Sequence, residues 1–276
     1  MAGEEYRGRT LGGLEAQVVA WIEVERPALV DADSVVGVFG WPRERALATL
    51  RRLARKGWLG RVVGGRYEPL PGSSGGWAVA NPWAALASWH ASYYVGFASA
   101  AYEHGLTPDR PGAVQACVAF GRKRPKAWAG LPIVLVYLRT FALDGTATET
   151  VHGFGVRLSR LERTLVDCAG IPARAGGALG LTRIVSRSLE RADWPAVIGL
   201  ARELKYGRAA ARRIAALIEV LGLEVPGPLA EFATAHPGEQ ALYLDGPSRG
   251  RRGQRLARWQ VVLNVPAEAL REEVER

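Results

Sequence analysis

The residues whose chemistry most clearly suggests a function are eight basic side chains from Pro42 to Arg66. Glu44 is the one acid in that span, so the segment carries eight positive charges less one negative, or +7, while the whole chain carries +9. Arginine suits polyanions because its planar guanidinium can bind a phosphate, or the edge of guanine, through two hydrogen bonds. The segment therefore predicts a contact with double-stranded DNA. The candidate residues are Arg43, Arg45, Thr49, Arg52, Arg55, Lys56, Arg61 and Arg66.

Three short helices and a hairpin are predicted to position these side chains. Apolar residues recur at helical spacing over 11–25, 31–39 and 42–56. Two strand-like runs follow, over 58–63 and 66–70, and Gly64 and Gly65 form the turn between them. This order is typical of a winged helix-turn-helix, whose third helix enters the major groove.

The predicted third helix places the polar side chains in two groups. Arg45, Thr49 and Arg52 share a face opposite the apolar stripe, at spacings of four and three. The early turns of a recognition helix meet base edges, and its later turns meet phosphates. Base contacts are therefore assigned to Arg43, Arg45 and Thr49, phosphate contacts to Arg52, Arg55 and Lys56, and wing contacts to Arg61 and Arg66. The alternatives are a solvated helix face and a winged fold used only for protein contacts.

Length and composition predict two domains. The chain has 276 residues, of which 48% are hydrophobic and 23% charged, the balance of a globular protein. The stretch 71–76, Pro-Gly-Ser-Ser-Gly-Gly, resembles a linker, so we place a DNA-binding domain at 1–75 and a second domain at 76–276. Two distant cysteines and the lack of a long apolar run favour a cytoplasmic protein without a membrane partner.

The second domain is predicted to mix helices and strands. Helical signals cover 83–104, strand-like runs cover 113–120 and 131–138, and the chain is mainly helical from 153 to 223. A last apolar run, 259–265, is predicted to be a strand. The expected fold class is therefore α+β, with an N-terminal winged helix-turn-helix followed by a larger mixed α/β domain.

The second domain offers few candidate catalytic residues. Ser159 and Glu162 have the spacing of a capping box that starts a helix. Arg163 and Asp167 lie four residues apart, which fits either an ion pair that orders neighbouring helices or part of an acidic nuclease site. No nucleophile with a nearby base and no metal-ligand spacing among the histidines is found. We therefore expect no enzymatic activity and no cofactor.

Several short motifs resemble the AbiEi antitoxin family of type IV toxin–antitoxin systems. They are the run 162–167 (Glu-Arg-Thr-Leu-Val-Asp), Ala-Gly-Gly at 175–177, Arg-Arg-Ile at 212–214 leading to Leu-Gly at 221–222, Gly-Arg-Tyr at 65–67, and Arg-Trp at 258–259 with Asn-Val at 264–265.

The resemblance implies a repressor of its own operon that is paired with a nucleotidyltransferase-like toxin. The N-terminal domain would bind DNA, and the C-terminal domain would supply antitoxin activity through Arg163, Asp167, Arg212 and Arg213. The alternative is a stand-alone winged-helix transcriptional regulator whose C-terminal domain senses a ligand or partner.

Overall fold

The computed structural model describes residues 10–70, 81–125, 131–236, 238–246, 250 and 252–275. Two compact units are present. One comprises Met1–Ser92, Lys123–Ile133 and Glu149–Val156, and the other comprises Tyr93–Arg122, Val134–Thr148 and Arg157–Arg276. The predicted linker at 71–76 lies outside the described residues, so domain limits at 1–75 and 76–276 stay a prediction.

The first unit contains a winged helix-turn-helix. Its elements are helices α1 (Gly13–Glu25), α2 (Ala32–Phe39) and α3 (Arg43–Arg55), strands β1 (Leu59–Arg61) and β2 (Tyr67–Pro69), and helix α4 (Pro82–Ala87). β1 and β2 pair antiparallel. Val30, between α1 and α2, extends this hairpin, because Val30 and Tyr67 exchange two backbone hydrogen bonds of 2.8 Å. The sequence did not predict this bridge.

Local signals in the sequence explain where these helices begin and end. Asp31 caps α2 by accepting a 2.8 Å hydrogen bond from the Ser34 N–H. Gly40, with φ 65°, ends α2, and Gly57, with φ 73°, follows α3, both in the left-handed conformation that glycine favours. Side chains from all three helices form the core under α3; among them are Val18, Val35, Leu50 and Leu53.

The wing is shorter than predicted. Each strand has three residues, rather than the five or six expected from the apolar pattern. A short 3-10 turn, Val63–Gly65, connects them, with Gly64 at φ 78° and Gly65 at φ 77°. Because the residues next to the glycines belong to the turn, the pairing between β1 and β2 ends at Arg61 and Tyr67.

A five-stranded sheet has the order β5-β4-β3-β7-β6. Its strands are β3 (Tyr94–Val95), β4 (Val114–Ala119), β5 (Ile133–Leu138), β6 (Thr146–Val151) and β7 (Phe154–Ser159). Helix α5 (Phe97–Glu103) connects β3 to β4. The predicted strands at 113–120 and 131–138 are confirmed. The prediction of helix directly after Gly153 is wrong, since β7 begins at Phe154. β6 escaped prediction because it is an edge strand of mostly polar, accessible residues.

Helices dominate the C-terminal part of the second unit. They are α6 (Leu161–Gly170), α7 (Gly177–Ser188), α8 (Trp194–Glu203), α9 (Gly207–Val220), α10 (Gly227–Ala233) and α11 (Ala267–Glu275), with a short 3-10 turn at Pro172–Arg174. α6 lies centrally, in contact with α5, α7, α8 and α9. A three-stranded sheet of order β8-β10-β9 packs beside them, with β8 at Leu242–Tyr243, β9 at Gln254–Leu256 and β10 at Val261–Leu263. The expected α+β fold class is confirmed.

The junction between α8 and α9 requires glycine at its closest point. A Cβ added to Gly207 would lie 2.1 Å from the Ala201 carbonyl oxygen and 2.5 Å from the Ala201 Cα. Both atoms belong to the backbone, so neither can rotate away as a flexible side chain would. The two helices can therefore meet at this distance only with glycine here.

We expect Gly207→Ala to lower the free energy of unfolding by about 1–3 kcal/mol, the usual cost of overpacking. The matched control is Gly199→Ala, since Gly199 lies inside α8 with nothing within 4 Å of an added Cβ. That change should be neutral or stabilise the protein by up to about 1 kcal/mol through helix propensity. Urea unfolding of both full-length variants measures the difference. Equal stabilities would contradict the close approach.

Candidate nucleic-acid interface

One face of α3 presents a row of basic side chains to solvent. Arg45, Ala48, Arg52 and Arg55 follow one another at spacings of three, four and three, and Arg51 lies beside them. All are exposed except Arg52, which is half-buried, with 41% of its side chain accessible to solvent. The opposite face is buried and is formed by Ala46, Thr49, Leu50 and Leu53.

The assignment of Thr49 to the exposed face is wrong. Its side chain is fully buried, and its hydroxyl donates to the Arg45 carbonyl oxygen at 2.9 Å. The same hydroxyl accepts a 3.1 Å hydrogen bond from Arg52 Nη2. Thr49 therefore cannot contact a base, and it orients Arg52 instead. Ala48 occupies the central position of the exposed row.

A buried acid from α1 lies under the end of α3. Glu15 is 3% exposed; it accepts a 2.5 Å hydrogen bond from Lys56 Nζ and lies 3.2 Å from Arg52 Nε. Lys56 Nζ also donates to the Thr10 carbonyl oxygen at 2.8 Å. Lys56, predicted to bind phosphate, is thus engaged within the protein with 29% of its side chain exposed, while Arg52 is 41% exposed.

The ionisation of Glu15 is tuned by its surroundings. Burial alone would raise its pKa, but the hydrogen bonds from Lys56 and from the Gly12 N–H, with the charge of Arg52, lower it below the usual 4.5. Glu15 therefore remains charged at neutral pH and balances part of the basic segment.

Two further predicted DNA ligands form surface ion pairs. Arg43 pairs with Asp33, and both side chains are largely exposed. Arg66 Nε lies 3.9 Å from Asp31 Oδ2. Exposed pairs of this kind contribute about 0–1 kcal/mol, so a stronger anion can replace the acid. Both arginines stay candidates for a polyanion contact.

The remaining arginines of the segment are the least compensated. Arg45, Arg51, Arg55 and Arg61 are exposed, and none forms an ion pair with an acid in the part of the chain that the structure describes. Residues 10–70 contain nine basic and seven acidic side chains, a net charge of only +2. The positive charge is therefore a property of one face rather than of the whole unit. Arg51 was missing from the predicted set, although it lies close to Arg55 on the helical wheel.

The predicted effector residues Arg163 and Asp167 form a buried network in the second unit. Both side chains are fully buried, and Arg163 Nε donates to Asp167 Oδ1 at 2.8 Å. Tyr94 donates its hydroxyl to Asp167 Oδ2 at 2.8 Å, and Tyr206 donates to Asp167 Oδ1. Arg163 also donates to the Asp144 carbonyl oxygen at 2.7 Å. Neither side chain reaches the surface, so the pair holds elements of the fold together, and the effector role implied for it stays a prediction.

The environment of this network suits structure rather than acid–base chemistry. Burial raises the pKa of Asp167, and the Arg163 guanidinium and the two tyrosine hydroxyls oppose that rise. Burial also raises the pKa of the Cys117 and Cys168 thiols well above their ordinary value, so they stay protonated. Of the two interpretations of Arg163 and Asp167, the ion pair that orders neighbouring helices is the one that this geometry supports.

Arg212 and Arg213 are also engaged within the protein. Arg212 is 3% exposed and donates to the carbonyl oxygens of Trp259, Gln240 and Gln260 at 2.6–2.9 Å and to Glu239 Oε1 at 2.9 Å. It therefore ties α9 to β10 and to the chain before β8.

Arg213 binds a second set of backbone carbonyls. It donates to those of Tyr243 and Ala169 at 2.9 and 3.0 Å. Burial, followed by the charge of Arg212, lowers its pKa to about 10, so it remains a cation at neutral pH. Both arginines crosslink elements of the fold; Arg212 is buried and Arg213 is half-buried, and the effector role implied for them stays a prediction.

The predicted capping box at the start of α6 is absent. The N-cap of α6 is Arg160, and no side chain caps it. Ser159 instead ends β7 with its hydroxyl 2.7 Å from that of Thr164. Glu162 Oε1 accepts a 3.3 Å hydrogen bond from the Asp193 N–H, so it faces α8 rather than the start of its own helix.

The lowered pKa of Glu15 predicts a pH-dependent contribution to stability. Such a group stabilises the fold above its unfolded pKa, near 4.5, and the contribution is lost as pH falls through the lower folded pKa. Glu15→Gln should therefore lower protection of α1 and α3 amides at pH 7 by about 1–3 kcal/mol, with the gap closing as the pH falls below 4.5. Hydrogen exchange measures this. Glu23→Gln, an exposed acid of the same helix, is the control, and a similar loss in both variants would refute the prediction.

Comparison with known proteins gives a fold but no family. No protein-family model and no curated protein matches the chain. Among the described residues, no helix combines the length and apolarity needed to cross a membrane, and no three potential metal ligands cluster. The fold is similar to that in the crystal structure of the RV2827C protein from Mycobacterium tuberculosis. That likeness has a TM-score of 0.71 and 19% identity and covers 97% of each chain. The chain therefore shares this fold over nearly its whole length.

Proposed function

We propose that the protein binds double-stranded DNA through α3 and the wing and regulates transcription from its own promoter. The observation that carries the proposal is the exposed row of α3, in which arginines flank Ala48 and Glu44, in the first turn, is the one acid of the helix. In a winged helix-turn-helix this is the face of the recognition helix that enters the major groove.

Each exposed side chain has a place in this proposal. Arg45 lies in the early part of α3, where bidentate hydrogen bonds to guanine are geometrically available. Ala48 allows close approach to the groove floor. Arg51 and Arg55, farther along, suit phosphates, and Arg61 on β1 suits the backbone beside the wing. Arg52 is oriented by Thr49 and Glu15, which limits its freedom before DNA arrives.

The assignment of Arg45 to a base predicts a specific loss on substitution. Arg45→Ala should weaken binding to a duplex from the protein's own promoter by about 1–3 kcal/mol, with a smaller effect on random duplex of the same length. Arg187→Ala, an exposed arginine of α7, is the matched control and should change neither affinity. Fluorescence anisotropy measures both. An equal loss on the two duplexes would place Arg45 on the backbone instead.

Phosphate contacts predict a graded salt dependence. Arg51→Ala, Arg55→Ala and Arg61→Ala should each reduce the slope of log affinity against log salt by about 0.9, the value for one lost phosphate contact on duplex DNA. The wild-type slope should be several times larger. A wild-type slope near zero would contradict DNA binding by this face.

We further propose that the protein is a non-catalytic antitoxin that counters a nucleotidyltransferase-like toxin. The support is the resemblance of its motifs to the AbiEi family. Since Arg163, Asp167, Arg212 and Arg213 are engaged inside the second unit, they would maintain the antitoxin domain rather than touch the toxin. Any toxin contact would lie on exposed residues of that unit.

DNA binding and toxin neutralisation should be separable by substitution. The triple variant Arg45→Ala, Arg51→Ala, Arg55→Ala should lose promoter binding yet rescue cells that express the adjacent nucleotidyltransferase-like toxin. All three side chains are exposed, so the fold should be retained. Co-expression and colony counts, at matched protein levels, test this. Loss of rescue together with DNA binding would show that neutralisation works through repression alone.

A further inference from the structure

Two exposed aromatic side chains lie together in the second unit. Phe120, directly after β4, is 77% exposed, and Tyr137, on the edge strand β5, is 46% exposed. Their ring centroids are 6.4 Å apart with planes at 74°. The Phe120 N–H donates to the Leu138 carbonyl oxygen at 3.2 Å, which fixes the backbone of Phe120 beside β5. Neither ring contributes to the core, so both are available to a ligand.

Each of the two aromatic residues is followed closely in the sequence by an arginine, and no acid is near them in the sequence. Arg122 and Arg139 are exposed, each two residues beyond one of the aromatics. Neither guanidinium forms an ion pair among the residues that the structure describes. The sequence contains no Asp or Glu between Asp109 and Asp144. This is a second region of uncompensated positive charge, separate from α3.

Exposed rings beside unpaired arginines match the chemistry of a single-stranded nucleic acid. Unpaired bases offer flat faces that stack on aromatic side chains, and the flanking phosphates pair with cations. The bases of a duplex are already stacked on each other, so their faces are closed to such rings. An acidic protein would satisfy the arginines but would not specifically require planar rings.

We propose that Phe120, Tyr137, Arg122 and Arg139 form a binding surface for single-stranded nucleic acid. At least one base stacks on the exposed Phe120 ring beside Tyr137, and adjacent phosphates bind the two arginines. The surface is independent of α3 and does not rest on duplex binding there.

The test uses fluorescein-labelled twelve-nucleotide dT and rU strands with the full-length protein. The double variant Phe120→Ala, Tyr137→Ala should weaken binding by about tenfold or more, given the usual contribution of base stacking. Phe120→Trp, Tyr137→Trp keeps planar rings and should retain affinity. Arg122→Ala and Arg139→Ala should each lower the salt slope by about 0.7, the value for one phosphate of a single strand. A difference between dT and rU identifies which of the two strands is preferred and supports the proposal.

Controls separate this surface from general charge and from α3. Leu223→Ala and Arg187→Ala remove an exposed apolar and an exposed basic side chain elsewhere in the unit and should leave binding unchanged. Arg45→Ala should affect the promoter duplex but not the single strands.

Four results would overturn the proposal. They are no binding of either strand at low salt, equal affinity of wild type and the Ala double variant, loss of single-strand binding on Arg45→Ala alone, and an effect of the double variant on binding to phosphatidylglycerol vesicles without an effect on oligonucleotides.

Discussion

The buried ion pair between Arg163 and Asp167 is the interaction on which the second unit depends. Its hydrogen bonds join α6 to Tyr94 of β3, to the Asp144 carbonyl and to Tyr206 before α9, so one network spans the sheet and the helices. Removing one member would leave a buried charge without its partner, which costs about 3–5 kcal/mol. The arginine and the aspartate at these two positions thus have a structural role, and a role in contacting partners does not follow from their presence.

The first unit uses a buried acid differently. Glu15 takes up the charge of Lys56 and part of that of Arg52, and Arg43 pairs with Asp33, while Arg45, Arg51 and Arg55 form no ion pair among the described residues. A helix with so many like charges would repel itself without such a counterion. The acid therefore offsets the repulsion near the end of α3, while Arg45, Arg51 and Arg55 keep their charge on the side that faces solvent. In both units, some arginines connect elements of the fold, and others present their charge to solvent.

The sequence allowed the elements of the first unit to be predicted because their signals are local. Asp31, Gly40 and Gly57 mark helix ends through their own conformations. Periodicity misplaced Thr49, since a threonine that bonds back to the helix carbonyl can be buried like an apolar residue. The contacts between residues far apart in the sequence could not be predicted. Glu15 and Lys56 are 41 positions apart in the sequence, and no local pattern around either residue predicts their contact.

The bridge between Val30 and Tyr67 has a mechanical consequence. It fastens the wing to the chain that connects α1 and α2, and α2 in turn packs on α3. The bridge therefore restrains the position of the wing relative to α3. If α3 and the wing bind a duplex as proposed, a fixed spacing between them would require the DNA groove, rather than the protein, to change its width. Sequences that already have the matching width, or that deform at low energetic cost, would then be preferred at positions that no side chain touches.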